Sequence, residues 1–219
     1  MTNAPEVIEY LDVLDDLGRV VGTKPRHDVH RDGDWHQVFH CQIVSIRNGV
    51  PTALLQQRSH AKAAFPGLLD VSAAGHLTAG ETPMDGLREL EEELGIRPNT
   101  ADLTVLGVRR LVDESGEGRL NKELTHVYML RDDRPLGDYI IQQAEVDAVF
   151  DLPIDEALRI LGDPSAKMRV GGVAAAGSEA ANPVQRTISA SDLVPGTDYW
   201  VTLMVMAKRF LAGHKPLAI

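Results

Sequence analysis

The sequence predicts a mixed α/β domain, one principal sheet flanked by helices, and three observations carry that prediction. Residues 36–46, HQVFHCQIVSI, alternate and are rich in β-branched side chains, as strands are. Arg47-Asn48-Gly49 then reads as a tight turn, with TALLQQRS (52–59) returning beside the first strand. A second strand pair is expected at 103–114 and 124–132, and helix candidates lie at 82–95, 154–162 and 200–213. That order of elements suits a sheet with helices packed on it.

Taken along the chain, residues 8–22 read as two short strands around a turn at Asp16-Leu17-Gly18. The stretch 60–74 reads as irregular, broken by Pro66-Gly67. The polar segment SGEGRLNK (115–122) is expected as the loop of the second strand pair. VDAVFDLP (146–153) is a further strand, and IDEALRILG (154–162) a short helix ended by Gly162. Residues 163–197 are dominated by Ala, Gly, Ser and Pro and offer few apolar anchors, so a long loop or partly mobile insertion is expected. The organisation expected is one domain over 1–165, with 166–219 a loop and C-terminal helix packed on it.

The chain of 219 residues is 43% hydrophobic and 25% charged, an ordinary globular composition. Its single cysteine, Cys41, rules out an internal disulfide and fits a reducing compartment. No apolar run approaches the ~20 residues that span a bilayer, and the N-terminus lacks a secretion signal's basic start and apolar core. A cytoplasmic protein with no membrane partner is expected. The net charge of −10 argues against a nucleic acid polymer as partner. It leaves open phosphate chemistry conducted through a divalent metal.

The densest signal is RELEEELGI, residues 88–96. Thr82 suits an N-cap, Pro83 the first helical position, and Asp85 a capping box; Gly95 closes the helix. At 100° per residue Leu87, Leu90 and Leu94 share one side, with Met84 at its margin. Glu89, Glu92 and Glu93 share another, while Glu91 points elsewhere. Like charges so spaced weaken a helix, so a cation among them is expected. Three carboxylates on one stripe suit a hard cation such as Mg²⁺ or Mn²⁺. Arg88 sits within the cluster, able to hold a carboxylate through a bidentate bond. A merely solvated acidic stripe is the plainer alternative.

Gly75, Glu81, Arg88-Glu89-Leu90, Glu92-Glu93 and Gly95-Ile96 together resemble the Nudix box. The resemblance covers about residues 8–165. It implies a Nudix-like α/β/α sandwich with a mixed sheet, here carrying a C-terminal extension. It also implies metal-dependent hydrolysis of a diphosphate linkage in a nucleoside diphosphate joined to another group, or a related small diphosphate. By position, Glu89, Glu92 and Glu93 become metal ligands, helped by a backbone carbonyl at Gly75. Glu89 or a distal carboxylate becomes the general base, and Glu123, in NKELTHVY, is the candidate distal acid and further metal ligand, ahead of Glu145. One departure stands out: six residues separate Glu81 from Arg88, where the family pattern has seven. Either the first turn is distorted near Gly86, or Glu81 does not brace Arg88.

LLQQRSHAKAAFPGLLDVSAAGH (54–76) resembles the Nudix branch related to isopentenyl diphosphate isomerase, and Arg58 and Lys62 fall where that branch meets phosphates. The isomerases carry a catalytic cysteine directly before Gly-His; here the tripeptide is Ala74-Gly75-His76. Alanine moves no proton, which argues against isomerisation. His30, His36, His76 and Glu123 resemble a metal-binding set of the isomerases, so a second metal site is an open reading. His126 and Cys41 are assigned to packing, and Trp35 and Trp200 to core or interface anchors. A relative of the isomerase with altered activity, and a nucleotide-binding regulator without turnover, remain as alternatives. A homodimer is also compatible with the sequence.

Overall fold

The computed structural model describes residues 8–116, 119–175 and 182–219. In chain order its elements begin with β1 (Tyr10–Leu14), β2 (Val20–Pro25), α1 (Arg26–Asp32), β3 (Trp35–Arg47), β4 (Val50–Arg58), β5 (Leu69–Asp70) and β6 (Ala73–His76). They continue with α2 (Arg88–Leu94), β7 (Leu103–Gly116), β8 (Arg119–Arg131), β9 (Val146–Pro153), α3 (Ile154–Gly162), β10 (Met168–Ala174), β11 (Asn182–Ile188) and α4 (Thr197–Leu211). The chain divides into two compact units. The first comprises the described residues up to Phe39, Gly75–Gly86 and Val108–His126; the second comprises His40–Ala74, Leu87–Gly107 and Val127–Ile219.

In the first unit β1 and β2 form the expected antiparallel hairpin, in register from Tyr10↔Pro25 to Val13↔Gly22, with a shift before Leu14↔Val20. Its turn is held by Asp15, whose Oδ1 accepts the amides of Leu17 and Arg19 at 2.9 Å each. Leu11, Val13 and Val29 make a small apolar cluster that seats α1 on the hairpin. No part of α1 follows from hydropathy: Val29 is the one buried residue in RHDVHRD. Ionic contacts compensate, with Lys24 Nζ on Asp34 at 2.5 Å and on Asp32 at 2.9 Å.

In the second unit the strands run β11-β10-β9-β4-β3 as an open antiparallel sheet. Strand alternation sorts β4: Ala53 and Leu55 join Phe150, Leu152 and the α3 and α4 side chains Ile154, Ile160, Trp200, Leu203 and Met204 in one core. Gln56 points to the other face, where its Nε2 donates to Glu93 of α2 at 3.2 Å. Helices thus cover both faces, giving a mixed α/β Nudix-like sandwich with α4 as an extra C-terminal helix. Truncating Trp200, 3% exposed in that core, would cost roughly 3–5 kcal/mol.

Three expectations need correction. The segment 163–197 is not simply a loop: β10 and β11 pair over seven residues, from Met168↔Ile188 to Ala174↔Asn182, and β10 joins β9. Gly172 misleads because close packing demands it. A Cβ on Gly172 would lie 2.3 Å from the Val149 carbonyl and 2.4 Å from the Phe150 ring. The segment 115–122 is largely strand, since β7 runs to Gly116 and β8 begins at Arg119. Residues 117–118 of that expected loop, and 176–181 of the longer one, lie outside the described residues, as do 1–7. The acidic helix does not start at Thr82. Asp85–Leu87 form a 3-10 turn and the α-helix proper is Arg88–Leu94. Thr82 and Asp85 do pair, Thr82 N and Oγ1 both donating to Asp85 Oδ2 at 2.7 Å. The distortion falls at Gly86, whose backbone lies so close to Phe39 that a Cβ would meet the Phe39 side chain at 2.6 Å.

Candidate metal centres

Helix α2 presents two kinds of buried residue. Leu90 and Leu94 are fully buried, and beside them Glu93 is 2% and Glu89 9% exposed. Leu87 and Met84 are half-buried at the margin, and Glu91 and Glu92 are exposed. Gly95 ends the helix in the left-handed conformation (φ 68°), its amide bonded to the Glu91 carbonyl at 2.9 Å.

Glu93 Oε2 accepts hydrogen bonds from Gln56 Nε2 at 3.2 Å and the Ala74 amide at 3.1 Å. Glu89 Oε1 accepts from Arg88 Nη1 at 2.5 Å, and the same nitrogen reaches Glu92 Oε2 at 3.2 Å. Burial pushes the Glu89 carboxyl up to about 7, against the pull of Arg88 and with a push from Glu92. Burial first, and then repulsion from Glu89, pushes Glu93 up to about 8. Gln56 Oε1 is buried with no donor. Hard oxygen donors, undercompensated negative charge and an orphaned acceptor are features a divalent ion would satisfy, and this donor set fits Mg²⁺ or Mn²⁺. Gly75, the expected carbonyl donor, lies in β6. Glu81 sits before the 3-10 turn, where its Oε2 accepts the Thr78 amide at 2.6 Å.

Arg58 is the last residue of β4, at the end of the expected returning strand. Its Nη1 donates to Asp70 Oδ2 at 2.9 Å and its Nε to the Ala64 carbonyl at 3.0 Å, folding the following loop over it. Lys62 pairs with Glu145, and its charge draws down the carboxyls of both Glu89 and Glu93. Arg58, Lys62, Asp70, Glu89 and Glu93 are therefore one electrostatic neighbourhood. Gln56 and Asp70 were missed in the sequence. The available signal was the pair Gln56-Gln57 directly after the apolar run Ala53-Leu54-Leu55 of β4.

A second cluster belongs to the first unit. His30 from α1, His36 from β3 and His76 from β6 place ring nitrogens within 4.8 Å of one another, with ring centroids 4.8–5.2 Å apart. His36 is fully buried, and its Nδ1 contacts the Asp34 carbonyl at 3.1 Å. That contact puts the proton on Nδ1 and leaves the Nε2 lone pair buried and unpartnered. Burial lowers the pKa of both His30 and His36, so neutral imidazoles face one another. Glu123 of β8 raises the pKa of His30 and accepts from Asn121 Nδ2 at 2.7 Å, and Asn121 Oδ1 is a further orphaned acceptor. The cluster is able to coordinate a metal. Glu123 belongs to this group, and Asn121 had no signature in the sequence.

The remaining residues behave as packing groups. Trp35 is 7% exposed, bonds Asp16 through Nε1 at 3.0 Å and carries Arg110 at 4.5 Å over its ring. His126 Nε2 meets Gln37 Oε1 at 2.8 Å. Cys41 is fully buried, and burial pushes its thiol far above the ordinary range. It is no proton carrier at neutral pH.

Residues 36–169 match the NUDIX domain family model. The chain belongs to the Nudix family. It is 36% identical over 170 residues to an uncharacterized Nudix hydrolase of Clostridium acetobutylicum, covering 77% of this chain and 79% of that one. It is 35% identical over 120 residues to the isopentenyl-diphosphate Delta-isomerase of Nocardia farcinica, covering 53% of this chain and 65% of the isomerase. Among solved structures, DR0079 of Deinococcus radiodurans superposes with a TM-score of 0.52 at 25% identity, over 71% of this chain and 90% of that one. This Nudix chain therefore shares both the hydrolase-type box and a likeness to the isomerases, without a cysteine before Gly75. No helix of the described residues is long and apolar enough to cross a membrane.

Proposed function

We propose that this Nudix protein is a Mg²⁺- or Mn²⁺-dependent hydrolase that cleaves a diphosphate linkage in a nucleoside diphosphate joined to another group, or in a related small diphosphate. The observation that carries the reading is the burial of Glu89 and Glu93 on one helical face, with both carboxyls raised toward neutral pH beside Arg58 and Lys62. Glu89, Glu92 and Glu93 would hold the ion. When bound, the ion neutralises the diphosphate and lowers the pKa of an attacking water. Arg88 holds Glu89 and Glu92 in a shared orientation through one nitrogen. Gln56 and the Ala74 amide fix the Glu93 rotamer, leaving its second oxygen for the ion. Arg58 and Lys62 bind the phosphates, Lys62 by exchanging its pairing with Glu145 for the more highly charged ligand. Glu89 or a distal carboxylate accepts the proton from water.

The histidine cluster supports a second metal position, built by His30, His36 and His76 with Glu123. Its three imidazole nitrogens suit a transition ion better than Mg²⁺. Isomerisation is the weaker reading, because Ala74 stands at the position of the isomerases' cysteine and the Cys41 thiol is buried and inert. A cytoplasmic location accords with the single reduced cysteine. The test is a panel of nucleoside and non-nucleoside diphosphates with Mg²⁺. Release of phosphate or a nucleoside monophosphate supports the reading. Glu93→Gln turning over at the wild-type rate with its fold intact sinks the ligand assignment.

A further inference from the structure

The loop between β4 and β5 carries Lys62 and is framed by Arg58, and its backbone closes on itself. The Arg58 amide donates to the Leu68 carbonyl at 2.9 Å, and the Gly67 amide donates back to the Arg58 carbonyl at 3.0 Å. Inside it, Lys62 N reaches the Ser59 carbonyl at 3.0 Å. This closure leaves the Gly67 carbonyl pointing outward, and a residue from the far end of the chain takes it.

Arg186 of β11 donates Nη1 to the Gly67 carbonyl at 2.9 Å and Nη2 to Asp192 Oδ1 at 2.8 Å. Asp192 is itself fixed: its Oδ2 accepts Ser189 N at 2.9 Å and Ser189 Oγ at 2.8 Å in the capping box of the 3-10 turn Ala190–Asp192. Two residues beyond Asp192 the chain grips the same loop edge again, where the Val194 amide donates to the Leu69 carbonyl at 2.8 Å. The His60 ring packs against Gly67 itself, where an added Cβ would lie 2.7 Å from its Nε2, and its Nδ1 lies 2.5 Å from Asp147 Oδ2. Arg186 and Asp192 stand outside residues 36–169, the span of the family match.

We propose that Arg186 is a positioning residue for diphosphate binding, acting through the Gly67 carbonyl to hold the Arg58–Lys62 loop in its binding geometry. The inference rests on the hydrolase reading above. Arg186 touches no reacting group. A lysine has one nitrogen where the guanidinium uses two, so it cannot serve Gly67 and Asp192 with the same fork geometry.

The test is a kinetic cycle of wild type, Arg186→Ala, Lys62→Ala and the double variant on one hydrolysed diphosphate, with hydrogen exchange of residues 59–68 alongside. Arg186→Ala should raise KM about tenfold, as expected for loss of charge-assisted hydrogen bonds, with kcat within about twofold. Exchange in the loop should quicken. Arg186→Lys should recover part of KM. In the Lys62→Ala background the Arg186→Ala penalty on KM should shrink to about twofold or less, because the group being positioned is gone. Unchanged KM and loop exchange in Arg186→Ala overturn the proposal, as does a full penalty that persists without Lys62. A fall in kcat matching the rise in KM overturns it in favour of a general structural role. Wild type inert on every diphosphate defeats the hydrolase reading itself, and this inference with it, a result distinct from an active wild type indifferent to Arg186.

Discussion

The acidic helix of the second unit and the histidine cluster of the first are opposite solutions to holding a cation. The helix drives like charges into a poorly solvated site: Glu89 and Glu93 sit one turn apart, and burial raises both carboxyls. The cluster gathers imidazoles from three elements, and burial lowers the pKa values of His30 and His36, so lone pairs rather than charges converge there. Burial thus pushes each site toward its neutral state from opposite directions. Without a cation, the helix stores repulsion and the cluster leaves the His36 Nε2 lone pair unpartnered.

The largest expected effect separates the sites by activity. Glu93→Gln should lower diphosphate turnover at least ~100-fold, beyond the loss that an outer-shell partner brings at a metal site. His36→Ala should leave Mg²⁺-dependent turnover within a few-fold while abolishing binding of one equivalent of Zn²⁺ or Co²⁺, read by calorimetry. If Glu93→Gln instead abolishes the transition-metal binding, the two-site comparison collapses.

The next effect concerns the pH dependence of the metal-free protein. A carboxyl raised in the fold is protonated there while ionised in the unfolded chain, so its contribution is full below about 4.5 and lost as pH climbs through 7 to 8. A histidine lowered in the fold works the other way: its contribution is present above the unfolded value near 6.5 and lost as pH falls through the folded value. Metal-free Tm should therefore fall toward both ends. Glu93→Gln should flatten the alkaline limb only, and His36→Asn the acidic limb only. Saturating Mg²⁺ should flatten the alkaline limb of the wild type. A single substitution that flattens both limbs would show the two sites to be energetically one.

The smallest effect is a control within the helix. Glu91 is exposed and pairs with Arg97, so Glu91→Gln should leave turnover within twofold and stability within about 0.5 kcal/mol, measured by denaturant titration. A large loss there would mean that charge density, rather than facing direction, matters on α2.

The acidic helix was legible because helical periodicity placed Glu89, Glu93, Leu90 and Leu94 without any tertiary knowledge. The β3–β4 hairpin was legible from Asn48-Gly49, whose φ values of 51° and 80° are those such turns require. The histidine cluster had only a resemblance to support it. His30 rides on α1, a seven-residue helix with one buried side chain, so no apolar period announces it. The β10–β11 hairpin was hidden for a different reason. Gly172 looks like a loop residue in composition yet is what lets β10 lie against Val149 and Phe150. Arg186 was invisible because its partner, the Gly67 carbonyl, is backbone and lies 119 residues away.

Cys41 has a use beyond its place in the β3 core. The chain has one thiol, wholly shielded, so an alkylating reagent can reach it only when that strand comes loose. The rate of its modification is a built-in gauge of how often the second unit opens, readable without labels or engineered probes.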